Sequence, residues 1–406
     1  MKLKELCNVT SSKRIFASQY QVSGIPFYRG KEISLLSNNE KIKEELYISE
    51  ELYREINKKY GVPKKDDILM TAVGTIGNCY IVKEEKIYFK DGNIIWLRDI
   101  DSKKILPKYL YYYLNLHSTK NTIDSLLIGS TQKALTIENF KNIEIDVPNI
   151  EIQSKIVKLL NVLNNKIRLN TEVNNKLYEL LKNEFRSKYY STDGEKILLS
   201  ELVENTISGD WGKETPQGNN NTKVYCVRGA DIPYMEYGNK GNAPERYILE
   251  KNYINKKLEA NNIIVEISGG SPTQSTGRTA YITENILNMY DSPLLCTNFC
   301  KAMKIKDKKK APFVYMIFKL QYEDGIFFSW ENGTTGIKNF SLNDMINHTE
   351  VVLPSDDKIE KYYELFNALM NKIAANSKQN QVLEQLRDTM LPKLMNGEID
   401  LYNIEI

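Results

Sequence analysis

Apolar residues recur at alternating spacings of three and four between Ile152 and Phe185, which is the pattern of a coiled-coil seam. The seam positions are Ile156, Leu160, Leu163, Ile167, Leu177 and Leu181. No Gly or Pro interrupts the stretch, so we predict one helix of about 35 residues, about 50 Å long. Such a helix needs a partner that covers its apolar seam.

A second stretch repeats this pattern about 200 residues later, which indicates a duplicated chain rather than a short-period solenoid. Its apolar seam positions are Tyr362, Phe366, Leu369, Ile373 and Leu383. Both stretches also carry two polar seam positions: Asn170 and Asn174 in the first, Asn376 and Asn380 in the second. Two interpretations stay open: these amides are buried and control helix register, or they point to solvent.

Shorter motifs before each helix repeat as well. Phe27-Tyr28-Arg29-Gly30 parallels Cys226-Val227-Arg228-Gly229, and Val147-Pro148 parallels Leu353-Pro354. Short β-branched and aromatic runs between Gly and Asn turns predict mixed α and β globules. We therefore predict an α+β chain with the order globule, long helix, globule, long helix and a short tail; the segments are 1–150, 151–192, 193–354, 355–396 and 397–406.

Composition narrows the function only slightly. The net charge of +3 permits nucleic acid as a partner without requiring it. No apolar run is long enough to span a membrane. Five cysteines and an N-terminus without the apolar core of a signal peptide lead us to expect reduced thiols and a cytoplasmic protein. Nucleotide-binding and methyl-donor loops are not found, and two histidines offer little for acid–base or zinc chemistry.

The duplicated globule-plus-helix plan and the ending Leu386-Arg387-Asp388-Thr389-Met390-Leu391-Pro392-Lys393-Leu394-Met395-Asn396-Gly397-Glu398-Ile399 resemble the specificity subunit of type I restriction–modification systems. The resemblance covers essentially the whole chain. It implies two target-recognition domains, each specific for one half of a split DNA site. It also implies that the two long helices pack as an antiparallel coiled coil with pseudo-two-fold symmetry and act as a spacer.

The same resemblance implies a subunit without an active site of its own, whose partners are double-stranded DNA and two methyltransferase subunits that methylate adenine. S-adenosylmethionine would be carried by those partners. Restriction subunits that use ATP and Mg²⁺ would join in a full complex. We expect no cofactor, metal or membrane contact for this chain itself.

Candidate DNA-contacting residues are polar or basic and fall in the repeated motifs. Arg suits bidentate contact with guanine or phosphate, and hydroxyl, amide and ammonium groups suit phosphates and base edges. The alternatives are that the arginines form surface salt bridges and that the glycine-led segments are ordinary polar turns. The candidates are Arg29, Lys31, Ser130, Thr131, Gln132, Lys133, Arg228, Arg278, Thr334, Thr335, Lys338 and Asn339.

Three other functions remain open at this point. The chain could be a stand-alone nuclease or methyltransferase with an unrecognised site. Enzymatic activity of the purified chain alone would favour this function. It could be a coiled-coil tether without DNA-sequence preference, although that leaves two large globules unexplained. It could also serve a related methylation system that lacks type I restriction.

Overall fold

The chain forms two compact units in the computed structural model, which describes residues 1–38, 42, 45–129, 133–190, 193–270, 274–333 and 338–401. Unit 1 combines Met1–Asn165 with the chain from Glu384 onward, and unit 2 is Lys166–Leu383. Each unit therefore contains one globule and a segment of both long helices. The predicted domain boundaries follow the order of the sequence instead, and they stay a prediction.

The globule of unit 1 contains seven strands and five short helices among its described residues. The strands are β1 (Asn8–Thr10), β2 (Ile25–Tyr28), β3 (Leu46–Ile48), β4 (Ile68–Thr71), β5 (Cys79–Ile81), β6 (Tyr88–Phe89) and β7 (Ile94–Arg98). The helices are α1 (Gly30–Ser37), α2 (Glu50–Tyr60), α3 (Pro107–Leu114), α4 (His117–Ser125) and α5 (Ile137–Phe140). The long helix α6 (Ile150–Lys188) follows them.

The globule of unit 2 follows α6 and is ended by the second long helix. Its strands are β8 (Glu195–Leu198), β9 (Val203–Ser208), β10 (Asn220–Val227), β11 (Glu245–Leu249), β12 (Ile263–Glu266), β13 (Ser268–Gly269), β14 (Thr279–Tyr281), β15 (Leu294–Cys296), β16 (Cys300–Ile305), β17 (Glu331–Asn332), β18 (Lys338–Phe340) and β19 (Glu350–Leu353). Its helices are α7 (Leu199–Leu202), α8 (Ile232–Glu236), α9 (Glu250–Lys256), α10 (Glu284–Leu287), α11 (Ala311–Glu323) and α12 (Leu342–His348), and the long helix is α13 (Asp356–Met395).

The two globules share one sheet plan, which confirms the α+β fold class. Unit 1 has an antiparallel sheet in the order β1-β7-β4-β5, and unit 2 has one in the order β9-β16-β12-β14. A three-stranded sheet accompanies each: β3-β2-β6 in unit 1 and β11-β10-β15 in unit 2. In both sheets the central strand, β2 or β10, is antiparallel to one neighbour, β3 or β11, and parallel to the other, β6 or β15. The sequence repeat is therefore a repeat of topology.

Each globule packs against a segment of the long helices in its own unit. In unit 1, Ile156 and Leu160 of α6 are fully buried in a core that also contains Leu394 of α13. In unit 2, Tyr178 of α6 and Phe366 of α13 are fully buried in the core that contains α11. The Tyr178 and Tyr315 hydroxyls are hydrogen-bonded at 2.6 Å.

The buried seam of unit 2 differs in part from the predicted one. Leu177 and Leu369 are only partly buried, whereas the neighbouring Tyr178 and Met370 are buried. The physical reason is that the globule of unit 2 also packs on these helices, so their buried faces are wider than a two-helix seam. Side chains beside the ideal seam position then bury more of their surface.

The four seam asparagines are buried in the helix pair of unit 2 and join its two helices. The Asn170 amide donates to Asn380 Oδ1 at 2.8 Å, and the Asn376 amide donates to Asn174 Oδ1 at 2.8 Å. Asn174 also donates to the Ile373 carbonyl and to Ser377 Oγ. Earlier positions in α6 face later positions in α13, so the helices are antiparallel in this unit. The solvent-facing interpretation is thus wrong, and register control stays a prediction.

We expect Asn174→Ala to lower stability, because it leaves the buried Asn376 amide without its acceptor. An unsatisfied buried polar group costs about 1–3 kcal/mol, so the denaturant midpoint of unit 2 should fall clearly. Asn183→Ala on the exposed side of α6 within unit 2 is the control and should change it little. Chemical unfolding followed by tyrosine fluorescence measures both. Equal midpoints for the two variants would contradict a structural role for the buried amides.

Candidate functional site

The predicted DNA-contacting segments of unit 1 meet at one edge of its four-stranded sheet. We define the first edge site as the Arg29–Glu32 turn, Ser34, the loop from Thr71 to Asn78, and Lys133. An added Cβ at Gly30 would lie 3.9 Å from Thr71 Cγ2, so the turn and the loop are adjacent. The Leu135 amide donates to the Ala72 carbonyl at 2.9 Å, which brings the segment containing Lys133 to the same loop.

Neutral hydroxyl and amide groups form the centre of the first edge site. Ser34 Oγ and Thr75 Oγ1 are hydrogen-bonded at 2.7 Å, and the Asn78 side-chain amide donates to Ser34 Oγ at 3.0 Å. Lys31 and Lys133 are exposed cations of the same site. Such groups can contact phosphates and the edges of bases.

Arg29 and Arg228 occupy equivalent turns in the two units and have the same geometry. Arg29 donates through its backbone NH and Nε to Glu32 Oε2, and through Nη2 to Oε1 at 2.7 Å. Arg228 makes the same three bonds to Asp231, at 2.9, 3.1 and 3.2 Å. Burial of Glu32 opposes its ionisation, but the hydrogen bonds from Arg29 outweigh it and lower the pKa of this carboxyl. Each carboxylate thus orients one arginine, Arg29 directly before α1 and Arg228 in the turn that leads to α8.

The second edge site has the same plan with charged side chains. We define it as the Arg228–Asp231 turn, the Glu266–Arg278 pair, and Lys338 with Asn339. Arg278 donates through Nε and Nη2 to the two oxygens of Glu266, at 2.8 and 2.6 Å. Strand β18 pairs with β13, and Asn339 lies opposite Ser268. Lys338 and Asn339 are therefore close to the segment that follows Glu266.

Glu331 organises the outer side of the second edge site. Its Oε2 accepts from Lys338 Nζ at 2.8 Å, and its Oε1 accepts from Thr276 Oγ1 at 2.9 Å. Lys338 Nζ also lies 4.9 Å from the ring centroid of the half-exposed Phe328. The ammonium group is therefore held in place rather than freely mobile.

The salt-bridge alternative holds for all three candidate arginines, Arg29, Arg228 and Arg278. A carboxylate partner does not prevent DNA contact, so this role stays a prediction for them and for Lys31, Lys133, Lys338 and Asn339. The candidates Ser130, Thr131, Gln132, Thr334 and Thr335 lie outside the described residues.

A family profile whose description is type I restriction modification DNA specificity domain matches residues 1–179 and 195–385. The chain belongs to this family. DNA recognition is accordingly its role, and neither the stand-alone enzyme nor the tether is favoured.

Relatives named as specificity subunits agree with this assignment. The chain is 24% identical to the MjaIX specificity subunit of Methanocaldococcus jannaschii over 98% of its own length and 92% of that protein. It is 37% identical over 161 residues to a Haemophilus influenzae protein provisionally named a type I restriction enzyme specificity subunit. That alignment spans 39% of this chain and only 38% of the relative.

A solved structure shows the same fold. The crystal structure of a type I specificity subunit from M. genitalium matches with a TM-score of 0.55 and 17% identity, over 97% of this chain and 95% of that one. At this identity the likeness concerns the fold alone.

Outside the two edge sites, the described residues include buried thiols. Burial raises the pKa of the Cys79 and Cys226 thiols to about 12. Within the described ranges, no group of three His, Cys, Asp or Glu side chains is placed to hold a metal ion. No helix in the part of the chain that the structure describes is long and apolar enough to cross a membrane.

The carboxylates that hold the candidate cations were not among the predicted site residues; they are Glu32, Asp231, Glu266 and Glu331. A signal existed for the first two, because an acidic residue follows each repeated Arg-Gly at the same spacing. Glu266 and Arg278 are separated by a loop, and so are Glu331 and Lys338. Neither pair recurs at the equivalent positions of the first globule, so the sequence carries no signal for these two pairs. Only the sheet brings them together.

We expect Gly229→Ala to destabilise unit 2, because the new Cβ would lie 2.2 Å from Glu266 Oε1 and 2.9 Å from its Cδ. Glu266 is held by Arg278, so relief requires a shift of the pair; overpacking of this kind costs about 1–3 kcal/mol. Gly30→Ala is the matched control at the equivalent turn, where the nearest described contact of the new Cβ beyond its own helix would be Thr71 Cγ2 at 3.9 Å. The unfolding midpoints of both variants test this. A larger loss for Gly30→Ala would refute the packing argument.

Proposed function

We propose that this chain is the DNA sequence-recognition subunit of a type I restriction–modification complex and that each globule recognises one half of a bipartite, gapped DNA site. The long helices set the gap and dock two methyltransferase subunits, which methylate adenine. The chain itself is non-catalytic in this proposal.

The observation that carries the proposal is the pair of edge sites. Both occur at the same edge of the same sheet plan, and both begin with an arginine held by a carboxylate. Their central side chains differ, however: Thr71 and Asn78 stand in unit 1 where Glu266 and Arg278 stand in unit 2. Two like modules with unlike side chains are suited to two unlike half-sites.

The helix pair supports a spacer role. Two recognition modules contact the same face of B-DNA when their half-sites are about one helical turn, ~34 Å, apart. A spacer can maintain such a distance only if its helices do not slide. The hydrogen bonds from Asn170 to Asn380 and from Asn376 to Asn174 oppose sliding, since any shift leaves buried amides unpaired.

The chemistry would be divided among the subunits. Phosphate contacts of the exposed lysines would supply affinity with a strong salt dependence, and base contacts would supply specificity. The methyltransferase subunits would bring S-adenosylmethionine and extrude the target adenine into their own pocket. Restriction subunits, if the system has them, would bring ATP and Mg²⁺.

Genome-wide mapping of methyladenine tests the proposal. Cells that express this chain with its methyltransferase should methylate one gapped, two-part motif, and cells without this chain should not. Replacing Gln132 and Lys133 by Ala should weaken recognition of one half of the motif. The matched variant, with Ala at Lys338 and Asn339, should weaken only the other half.

Methylation that persists fully without this chain would refute the recognition role. Equal loss at both halves in either double variant would refute modular recognition. Each double variant also serves as the folding control for the other.

A matched deletion tests the spacer role. Removing Thr171–Asn174 together with Asn376–Gln379 shortens both helices by about 6 Å and retains Asn170 and Asn380. We expect a gap about two base pairs shorter, at ~3.4 Å per base pair, or loss of methylation where the altered helical phase cannot be accommodated. Deleting Thr171–Asn174 alone mismatches the helices and should abolish methylation. An unchanged gap in the matched deletion would contradict the spacer role.

A further inference from the structure

Backbone hydrogen bonds establish which residues of the two edge sites are equivalent. The amide of Thr71 donates to the Asn78 carbonyl, and the amide of Glu266 donates to the Arg278 carbonyl. The return bonds also match, because the amides of Gly77 and Gly277 donate to the carbonyls of Thr71 and Glu266. Asn78 and Arg278 therefore occupy the same place in the two sheets.

The chemistry at this place is where the two edge sites differ most. In unit 1, Thr71 Oγ1 accepts from the Asn78 backbone amide at 3.0 Å, and the Asn78 side chain donates to Ser34. In unit 2, the equivalent residues form a two-bond ion pair between Glu266 and Arg278. The backbone hydrogen bonds around these residues are the same in both globules. A difference in DNA preference between the globules would therefore arise from these side chains.

The ion pair of unit 2 lies at the end of strand β12. Glu266 of β12 stands between Cys300 of β16 and Arg278, which directly precedes β14. Phe299, which precedes Cys300, is 58% exposed, and the Arg278 side chain is 23% exposed. Glu266, in contrast, is buried. The carboxylate is thus the inner member of the pair and the guanidinium the outer one.

The orientation of the pair suits recognition of guanine. Glu266 is bound at the Nε–Nη2 side of the guanidinium, and this leaves the Nη1–Nη2 edge in the geometry that matches O6 and N7 of guanine. Glu266 also neutralises the charge of Arg278, so the pair gains little from phosphate. An oriented pair of donors without net charge therefore contributes more binding free energy at a base edge than at a phosphate.

Arg228 is less suited to the same task. Its Nη2 donates to Asp231 Oδ1 and also to the Asn242 carbonyl, at 2.7 Å, so two acceptors already use this nitrogen. It also has an equivalent in unit 1, Arg29, and a residue common to both globules cannot distinguish their half-sites. Arg228 is therefore a positioning residue for the turn.

We propose that Arg278, oriented by Glu266, is the specificity-determining residue of the second globule and recognises a guanine in the major groove of its half-site. This inference rests on the proposed function. It predicts at least one G·C pair in the half-site that is weakened by Ala at Lys338 and Asn339.

Methylation kinetics of the complete methyltransferase complex on DNA with each base randomised in turn test this inference. Arg278→Lys keeps the positive charge beside Glu266 but cannot make the bidentate contact. Discrimination in favour of guanine should fall about 10-fold to 100-fold at one position of that half-site. Preferences in the other half-site should not change. Glu266→Gln should relax the same position, because it loosens the orientation of Arg278.

Arg228→Lys is the control. It should reduce methylation of all sequences alike, with the preference for guanine retained. Relaxation at that position by Arg228→Lys, unchanged preferences with both Arg278→Lys and Glu266→Gln, or relaxation in the other half-site would each overturn the inference. Uniform loss of methylation in the Arg278 and Glu266 variants would also overturn it, since a specificity residue alters selectivity. A wild-type complex without any two-part motif would refute the proposed function instead.

Discussion

The buried amides of the helix pair in unit 2 are the constraint on which much of the structure depends. An apolar seam alone permits several alignments of two long helices, because leucine and isoleucine pack almost equally well after a shift. Asn170 and Asn174 cannot shift without losing partners in α13. The globule of unit 2 is tied to the same segment, since Ser377 Oγ donates to the Tyr237 carbonyl at 3.0 Å. Helix alignment and globule position are therefore coupled.

The duplication also explains where the two units differ. Leu181 and Met370 are buried in the core of unit 2. The positions related to them by the repeat are Arg387 and Asn164, and in unit 1 these form a hydrogen bond at 3.2 Å. Asn164 also donates to the Tyr112 hydroxyl. Two buried apolar positions in one copy are thus occupied by a hydrogen-bonded polar pair in the other.

The edge sites show how one scaffold can carry different chemistry. Their backbone is set by sheet pairing, which is the same in both units, so side chains at the ends of β4 and β12 can change without altering the fold. Charged side chains at such positions are oriented by carboxylates rather than left mobile. A side chain that is already oriented loses less conformational entropy when it binds DNA, and this favours selectivity.

The sequence by itself determined the elements that depend on local spacing. Apolar periodicity located α6 and α13, and repeated motifs located both globules and both edge sites. Tertiary structure alone decided which side chains meet. Glu266 meets Arg278, and Glu331 meets Lys338, because antiparallel strands bring separate segments together. The burial of Tyr178 and Met370 instead of Leu177 and Leu369 has the same origin. Helix periodicity is a local property of the chain, whereas strand pairing and core packing depend on contacts that no local spacing encodes.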